Sequence, residues 1–469
     1  MNRKEDRESR RGGHALVIGA GIAGLLTARV LADHYRTVTI VERDGEGTTR
    51  AFRSGVPQAR HPHLALGRSR QIIEELFPDI HAELGEYNSP VFDFGLHTRI
   101  VFADGIAPRA KSGIPSQGLS RPLLDAALQA KVLALPNVGY QAGCRVVGLL
   151  YDKPTRTVTG VKILERTQKS DGVTAEVRAE LVVDASGRSS HLPDWLKNAG
   201  LPETKVSTVN PRLGYATRLF DVPKDVDFDW KVLGHMTAAP HVSRGCLGLR
   251  IEDDQVLIAM QGTGGDYPQG DEAGYREFAA SLQDGIGNLI SRLTPRSPVY
   301  VYRDTVNTRR AYHRLPWPKG LVAIGDTVCS FNPLYGQGIT VAAEGALVLR
   351  QLLTKAKGNP TDSLRGFQRR LARMTMLPWM MSTASDRGWQ EGGESSWGLR
   401  MQQKVMDAWI RTIPGDEEMY LCFIKIMHMV AKPTVLMRPR LIARIARAAM
   451  SPPKQSSLPT PSAHPQHAK

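Results

Sequence analysis

The first clear pattern along the chain is a short apolar run, HALVI from His14 to Ile18, followed by a glycine-rich turn. AGLLTARVLADHY (Ala23–Tyr35) then carries apolar residues at helical spacing, and TVTIVE (Thr37–Glu42) is β-branched. Together these predict one strand–helix–strand unit. A loop rich in Gly, Arg and His runs from Gly45 to His63, and RSRQIIEELF predicts a helix that stops before Pro78. Ser120–Leu133 predicts a helix capped by Ser120 with Pro122 in its first turn. Strand patterns return at RVVGLLYD, TVTGVKIL and AELVVDASG, then in a strand-rich block from Gly214 to Gly265. GLVAIGD and a helical ITVAAEGALVLRQLL occupy Gly320–Leu353, and helical spacing dominates from Pro360 to Met450.

This order predicts an α/β fold in which pieces of a Rossmann-like nucleotide-binding domain (about 14–50, 115–190 and 300–355) alternate with pieces of a β-sheet domain (about 51–114 and 191–299). A C-terminal helical region follows over 356–450. Residues 1–13, which mix acids and bases, and the Pro- and Ser-rich 451–469 read as disordered.

A length of 469 residues, 41% of them hydrophobic and 23% charged, is that of a multi-lobed globular protein. No segment reaches the roughly 18 apolar residues of a membrane span, and the N-terminus lacks the apolar core of a secretory signal, so a cytoplasmic protein is expected. Cys144, Cys246, Cys329 and Cys422 are widely spaced, which argues against a metal site or a disulfide framework. The formal charge of +15 favours anionic partners. Its bases are scattered without aromatic interleaving, so no nucleic-acid partner is expected.

Chemistry enters at Gly19-Ala-Gly21-Ile-Ala-Gly24, between the predicted strand and helix, where glycines let a pyrophosphate approach a helix N-terminus. Glu42, followed by Arg43, closes the second strand, where a carboxylate can bind ribose hydroxyls and would repel a 2′-phosphate.

Three further fragments carry a resemblance: Ser120-Arg121, Gly325-Asp326, and Asn332-Pro333-Leu-Tyr-Gly336-Gln-Gly338-Ile339. With the glycine turn, they resemble the flavin monooxygenases typified by para-hydroxybenzoate hydroxylase. The stretch from Arg53 to His63 and Gly214–Arg218 bring it nearest to bacterial polyether-type flavin epoxidases. The resemblance covers about residues 14–355. It implies FAD as cofactor, held by Gly19, Gly21, Gly24, Glu42, Arg43, Arg121, Asp326, Pro333, Gly336, Gly338 and Ile339. Asp184-Ala-Ser186-Gly187 departs from the family's usual DGxxS, and Cys329-Ser330 replaces a usual histidine. No second glycine fingerprint marks an NAD(P)H domain, so NAD(P)H would bind transiently or a separate flavin reductase would supply electrons.

The resemblance further implies reaction with molecular oxygen through a flavin C4a-hydroperoxide, and oxygen transfer to a hydrophobic, possibly carrier-bound natural-product intermediate by epoxidation or hydroxylation. No protein catalytic residue is identified. Arg53, Arg60, His61 and His63 are weak pocket candidates, without the ligand cluster of a metal site. An FAD-dependent isoprenoid double-bond reductase and a cyclase using FAD structurally are the alternatives. Arg440, Arg444 and Arg447 share one face of a terminal helix, with Ile442, Ile445 and Ala449 toward another. Docking on the body is the expectation, and membrane-surface contact the less favoured alternative.

Overall fold

The computed structural model describes residues 12–45, 52–53, 55–165, 173–282, 285–303, 305–356, 359–389 and 397–451. The predicted unit forms as β1 (Gly12–Ile18), α1 (Ile22–Ala32) and β2 (Tyr35–Val41). It is followed by α2 (Arg121–Leu133), β3 (Val138–Gln141), β4 (Leu181–Asp184), β5 (Leu321–Ala323) and α3 (Gln337–Thr354). The five strands pair in the order β5-β4-β1-β2-β3, all parallel. A parallel sheet covered on both faces needs strands apolar throughout, and Ala15, Leu16, Val17, Leu181, Val182 and Val183 are fully buried. Gly12 and Gly13, expected in a disordered start, already belong to β1, with Gly12 opposite Tyr35. The remaining residues of both expected disordered ends lie outside the described ones, apart from Ser451.

Between β3 and β4 the chain makes an antiparallel three-stranded sheet, Cys144–Asp152, Thr157–Glu165 and Val173–Arg178. The sequence pattern anticipates its first two strands and misses the third, as it misses β3. VGYQ in β3 is only four residues long and half-exposed, too short to show a period.

An eight-stranded mixed sheet is built mainly from the block after Gly214, with Thr98–Phe102 added in parallel to Val232–His235. Side chains alternate across it. Leu233, Cys246, Ile258 and Met260 pack with Tyr275, Phe278 and Ile286 on one side. Val232, Leu249 and Leu257 face the other side with Ile100, Phe102 and Ile424. Of the C-terminal helices, α4 (Met376–Asp386) packs through Trp379 against Phe331 and Val341, α5 (Trp397–Thr412) and α6 (Glu417–Met427) cover that second side, and α7 (Pro439–Met450) packs through Leu441 on α5 and α6. Among the described residues no helix is long and apolar enough to cross a membrane.

Candidate active site

Each glycine of the turn after β1 has a separate task. Gly19 sits at φ +96°, a left-handed conformation that favours glycine, and donates its N–H to the Val41 carbonyl at 2.8 Å. A β-carbon on Gly24 would lie 1.9 Å from the Gly19 carbonyl oxygen, so Gly24 lets α1 close onto the turn. Gly21, the N-cap of α1, has ordinary backbone angles and nothing within 4 Å of where a side chain would start. That open space faces a cavity, and α1 brings to it uncapped N–H groups with no acid in the first turn.

Glu42 closes the rim. Its carboxylate accepts from the Ala20 N–H at 2.6 Å and the Asp44 N–H at 3.1 Å, which fixes it beside the glycine turn. Arg43 also lines the cavity. Arg121, the first residue of α2, donates to Asp125 at 2.7 Å, and Arg53 reaches the other Asp125 oxygen at 3.2 Å. Ser120 caps α2 as expected, accepting from the Leu123 N–H at 3.3 Å.

Asp326 follows the turn after β5, where Gly325 packs against Ala23 in the first turn of α1. Burial raises its carboxyl above the usual range, opposed by the guanidinium groups of Arg188, Arg121 and Arg310. Pro333–Tyr335 makes a single helical turn, and Gly336, at φ +63°, caps α3. Asn332 accepts from the Leu334 N–H at 3.0 Å and donates to Asp386 at 3.1 Å, and Tyr335 donates to Asp386 at 3.2 Å. Asn307 also donates to Asp386, at 2.6 Å, and burial raises this carboxyl to about 6. Asp386 anchors the turn from beneath, and sequence reading missed it because α4 lies outside the recognisable motifs.

Asp184 serves its own loop, accepting from Ser186 N–H at 2.9 Å and from the Ser190 hydroxyl at 2.6 Å. Gly187 N–H then donates to Thr327 Oγ1 at 3.0 Å, tying this loop to the turn that holds Asp326.

One cavity of about 1720 Å³ joins these parts: Gly19, Gly21, Glu42, Arg43, Arg121, Asp326 and Pro333 through Ile339 all line it. It continues between the large sheet and the C-terminal helices, past Phe94, Ile100, Phe102, Val232, Leu249 and Phe423. Ligand pockets usually measure about 300–1,000 Å³, so this space exceeds what one drug-sized ligand fills. The contribution of Ile410, Phe423 and Met427 was not foreseen, because their helical pattern alone does not say what it covers.

Of the four weak candidates, only His63 lines the cavity. Its Nδ1 is 2.8 Å from the His61 carbonyl, and burial, with Arg121, lowers its pKa to about 4. His61 instead turns into the sheet, 2.6 Å from Thr217 Oγ1, with its pKa lowered by burial to about 3. Arg60 stacks on Phe52 and Tyr300, its guanidinium 4.4 Å from the Tyr300 ring centre. Arg53 lies at the Glu42 end, 3.8 Å from that carboxylate, because Asp125 and Glu42 are the charges within its reach. Cys329 is fully buried, and burial raises its thiol pKa far above the usual value, which suits packing rather than nucleophilic chemistry. Among the described residues no His, Cys, Asp and Glu cluster could hold a metal.

The glycine turn with its open approach, the fixed carboxylate and a second helix N-terminus lining the same cavity fit a dinucleotide. A family model for the NAD(P)-binding Rossmann-like domain matches residues 17–67. The chain is 31% identical over 392 residues, 80% of each protein, to Rv3254 of Mycobacterium tuberculosis. It is 24% identical to kynurenine 3-monooxygenase of Salinispora tropica, over 76% of this chain and 74% of that one. Its fold matches PqsL of Pseudomonas aeruginosa, described as a probable FAD-dependent monooxygenase, with a TM-score of 0.60 at 16% identity over 81% of this chain and 97% of that one. Fold and site define a flavin-dependent oxidoreductase. The chain belongs to one family with Rv3254, and its further relatives and fold neighbours include monooxygenases.

Proposed function

We propose that this monooxygenase epoxidises or hydroxylates a large, hydrophobic natural-product intermediate, free or carrier-bound, in the cytoplasm. Electrons come from transient NAD(P)H or from a separate flavin reductase. The observation that carries this reading is the apolar extension of the cavity beyond the nucleotide cradle, lined by Phe94, Ile100, Phe102, Val232, Leu249 and Phe423. Apolar walls suit an apolar substrate, and they keep water from the reacting atoms.

In this reading Gly19 and Gly21 receive the pyrophosphate of FAD, with Gly24 letting α1 close onto the turn, and Glu42 receives its adenosine ribose, with Arg43 and Arg121 alongside. Asp326 holds the ribityl chain, and Pro333, Gly336, Gly338 and Ile339 border the flavin ring. FAD, when bound and reduced, supplies the activation of oxygen. The protein orients the substrate and excludes water. His63, held neutral by burial, brings no cation to the ring. An electron-rich alkene needs no base to activate it, which accords with the apolar character of this lobe.

The test is turnover under labelled molecular oxygen with a panel of polyenes and aromatic polyketides, read by product mass. One labelled atom per product is expected. Turnover without label would replace this reading with the reductase or the cyclase.

A further inference from the structure

The C-terminal helix α7 has two apolar stripes. Leu441 is fully buried, and Ile445 packs beside it against the cluster of Trp409, Met419 and Ile426. The sequence reading grouped Ile442 with this inner side, but Ile442 is 49% exposed and points outward, with Met450 at 83% and Met437, just ahead of the helix, at 69%. On the adjacent helix α5, Met401 and Val405 are exposed one turn apart. Large apolar side chains gathered on one surface of a soluble domain mark an interaction site.

The same surface is basic. From Ala431 to Ser451 there is no acidic residue, and Lys432, Arg438, Arg440 and Arg447 are exposed. Arg444 alone turns inward, to Asp416 at 2.8 Å and Glu418 at 3.0 Å. Arg411 donates to the Ser451 carbonyl at 3.1 Å and so fastens the end of α7 to α5. Met401, Lys404, Val405, Met450 and Ser451 line the large cavity. Since Met450 is also mostly exposed, the cavity opens to the outside beside it.

Resting on the hydrophobic substrate proposed above, we infer that α5 and α7 seat the protein on an anionic lipid surface, with the apolar end of the cavity opening toward the bilayer. An outward apolar stripe flanked by arginines is the pattern of a helix lying in the membrane interface, its apolar side chains among the acyl chains and its guanidinium groups at the headgroups. A nucleic acid would engage the arginines and leave Met437, Ile442 and Met450 in water. A second copy, related by a two-fold axis through this face, would bring one acid-free basic surface against another. An anionic leaflet satisfies both the apolar and the basic components, and a long apolar substrate dissolved there would meet the cavity without crossing water.

The test uses the FAD-loaded full chain and sedimentation with phosphatidylcholine vesicles, with and without phosphatidylglycerol. Binding only to the mixed vesicles, weakened by salt, is expected. Arg440→Glu/Arg447→Glu and Met437→Asp/Ile442→Asp should each weaken it at least about tenfold. These positions are exposed, and unchanged FAD content and melting temperature confirm folding. The inference is overturned by no vesicle binding, by equal binding to neutral vesicles, or by a dimer in solution that the same substitutions dissolve. Binding that survives both variants and disappears on removal of residues 452–469 also overturns it, by moving the contact to the tail. The assay contains no substrate, so its failure leaves the oxygen-transfer reading standing, and failure of labelling leaves this one.

Discussion

Asp386, at the end of α4, accepts hydrogen bonds from Asn332 at 3.1 and 3.2 Å, joining the C-terminal helices to the turn that opens α3. The carboxyl is almost fully buried and its pKa is raised from 3.8 to about 6, burial outweighing the bonds from Asn307, Asn332 and Tyr335. A raised pKa means that the folded state favours the protonated acid. The stabilisation is complete below the unfolded value and is lost as pH rises through about 6. At about 1.4 kcal/mol per unit, the loss is at most about 3 kcal/mol. Thermal melts should therefore show a stability component that declines between pH 4 and 6 and that Asp386→Asn flattens. An identical pH dependence in the variant would refute this.

Gly21 and Gly24 should separate binding from folding. Gly21→Val has open space and unstrained backbone, so the protein should fold with an unchanged melt but load no FAD, read as loss of flavin absorbance after reconstitution. In Gly24→Ala the new methyl would fall 1.9 Å from the Gly19 carbonyl oxygen, so this smaller change should damage the fold itself, seen as a lowered melting temperature. Full FAD occupancy in Gly21→Val would remove the pyrophosphate from this turn.

Asp326→Ala removes a half-buried carboxylate that opens into the cavity among three arginines. A hydrogen bond to a charged group contributes about 1.5–3 kcal/mol. FAD affinity should accordingly fall by roughly 10- to 150-fold, measurable by titration of flavin fluorescence. An unchanged Kd would place the ribityl chain elsewhere.

Arg60→Ala should leave FAD affinity untouched, because Arg60 stacks on Tyr300 and Phe52 and does not line the cavity. The lost cation–π contact should cost about 0.5–1 kcal/mol of stability, seen in denaturant unfolding. A large rise in the FAD Kd would show instead that the stack positions the cofactor loop.

The nucleotide half of this site was legible because its physics is local. A strand, a glycine turn, a helix and a terminal acid lie within residues 14–42, and their spacing alone forces the geometry. The cap at Ser120 and the turn around Gly336 were readable for the same reason. His61 and His63 show the limit: neighbours in sequence with opposite surroundings, one aimed at Thr217 in a distant strand and one at the cavity, a difference set by the β-sheet they meet. Asp386 and Phe423 were invisible, since a buried anchor and a cavity wall on helices are defined by what lies across from them. Ile442 misled because an apolar residue on an amphipathic helix is usually covered, and here the inner stripe begins at Leu441.

The alternation of the two domains along the chain sets a timetable for synthesis. Glu42 and the glycine turn leave the ribosome early, but β5, Asp326 and the turn at Gly336 emerge only after roughly three hundred more residues have been made, at about 5–20 residues per second. Until then β4 lacks its outer neighbour and the cradle has one wall. Any chain that terminates before α3 will carry the dinucleotide fingerprint intact and yet have nothing to close against the cofactor. On the proposed cofactor placement, flavin would load only onto nearly finished molecules, and a chain that stopped short of α3 would stay colourless.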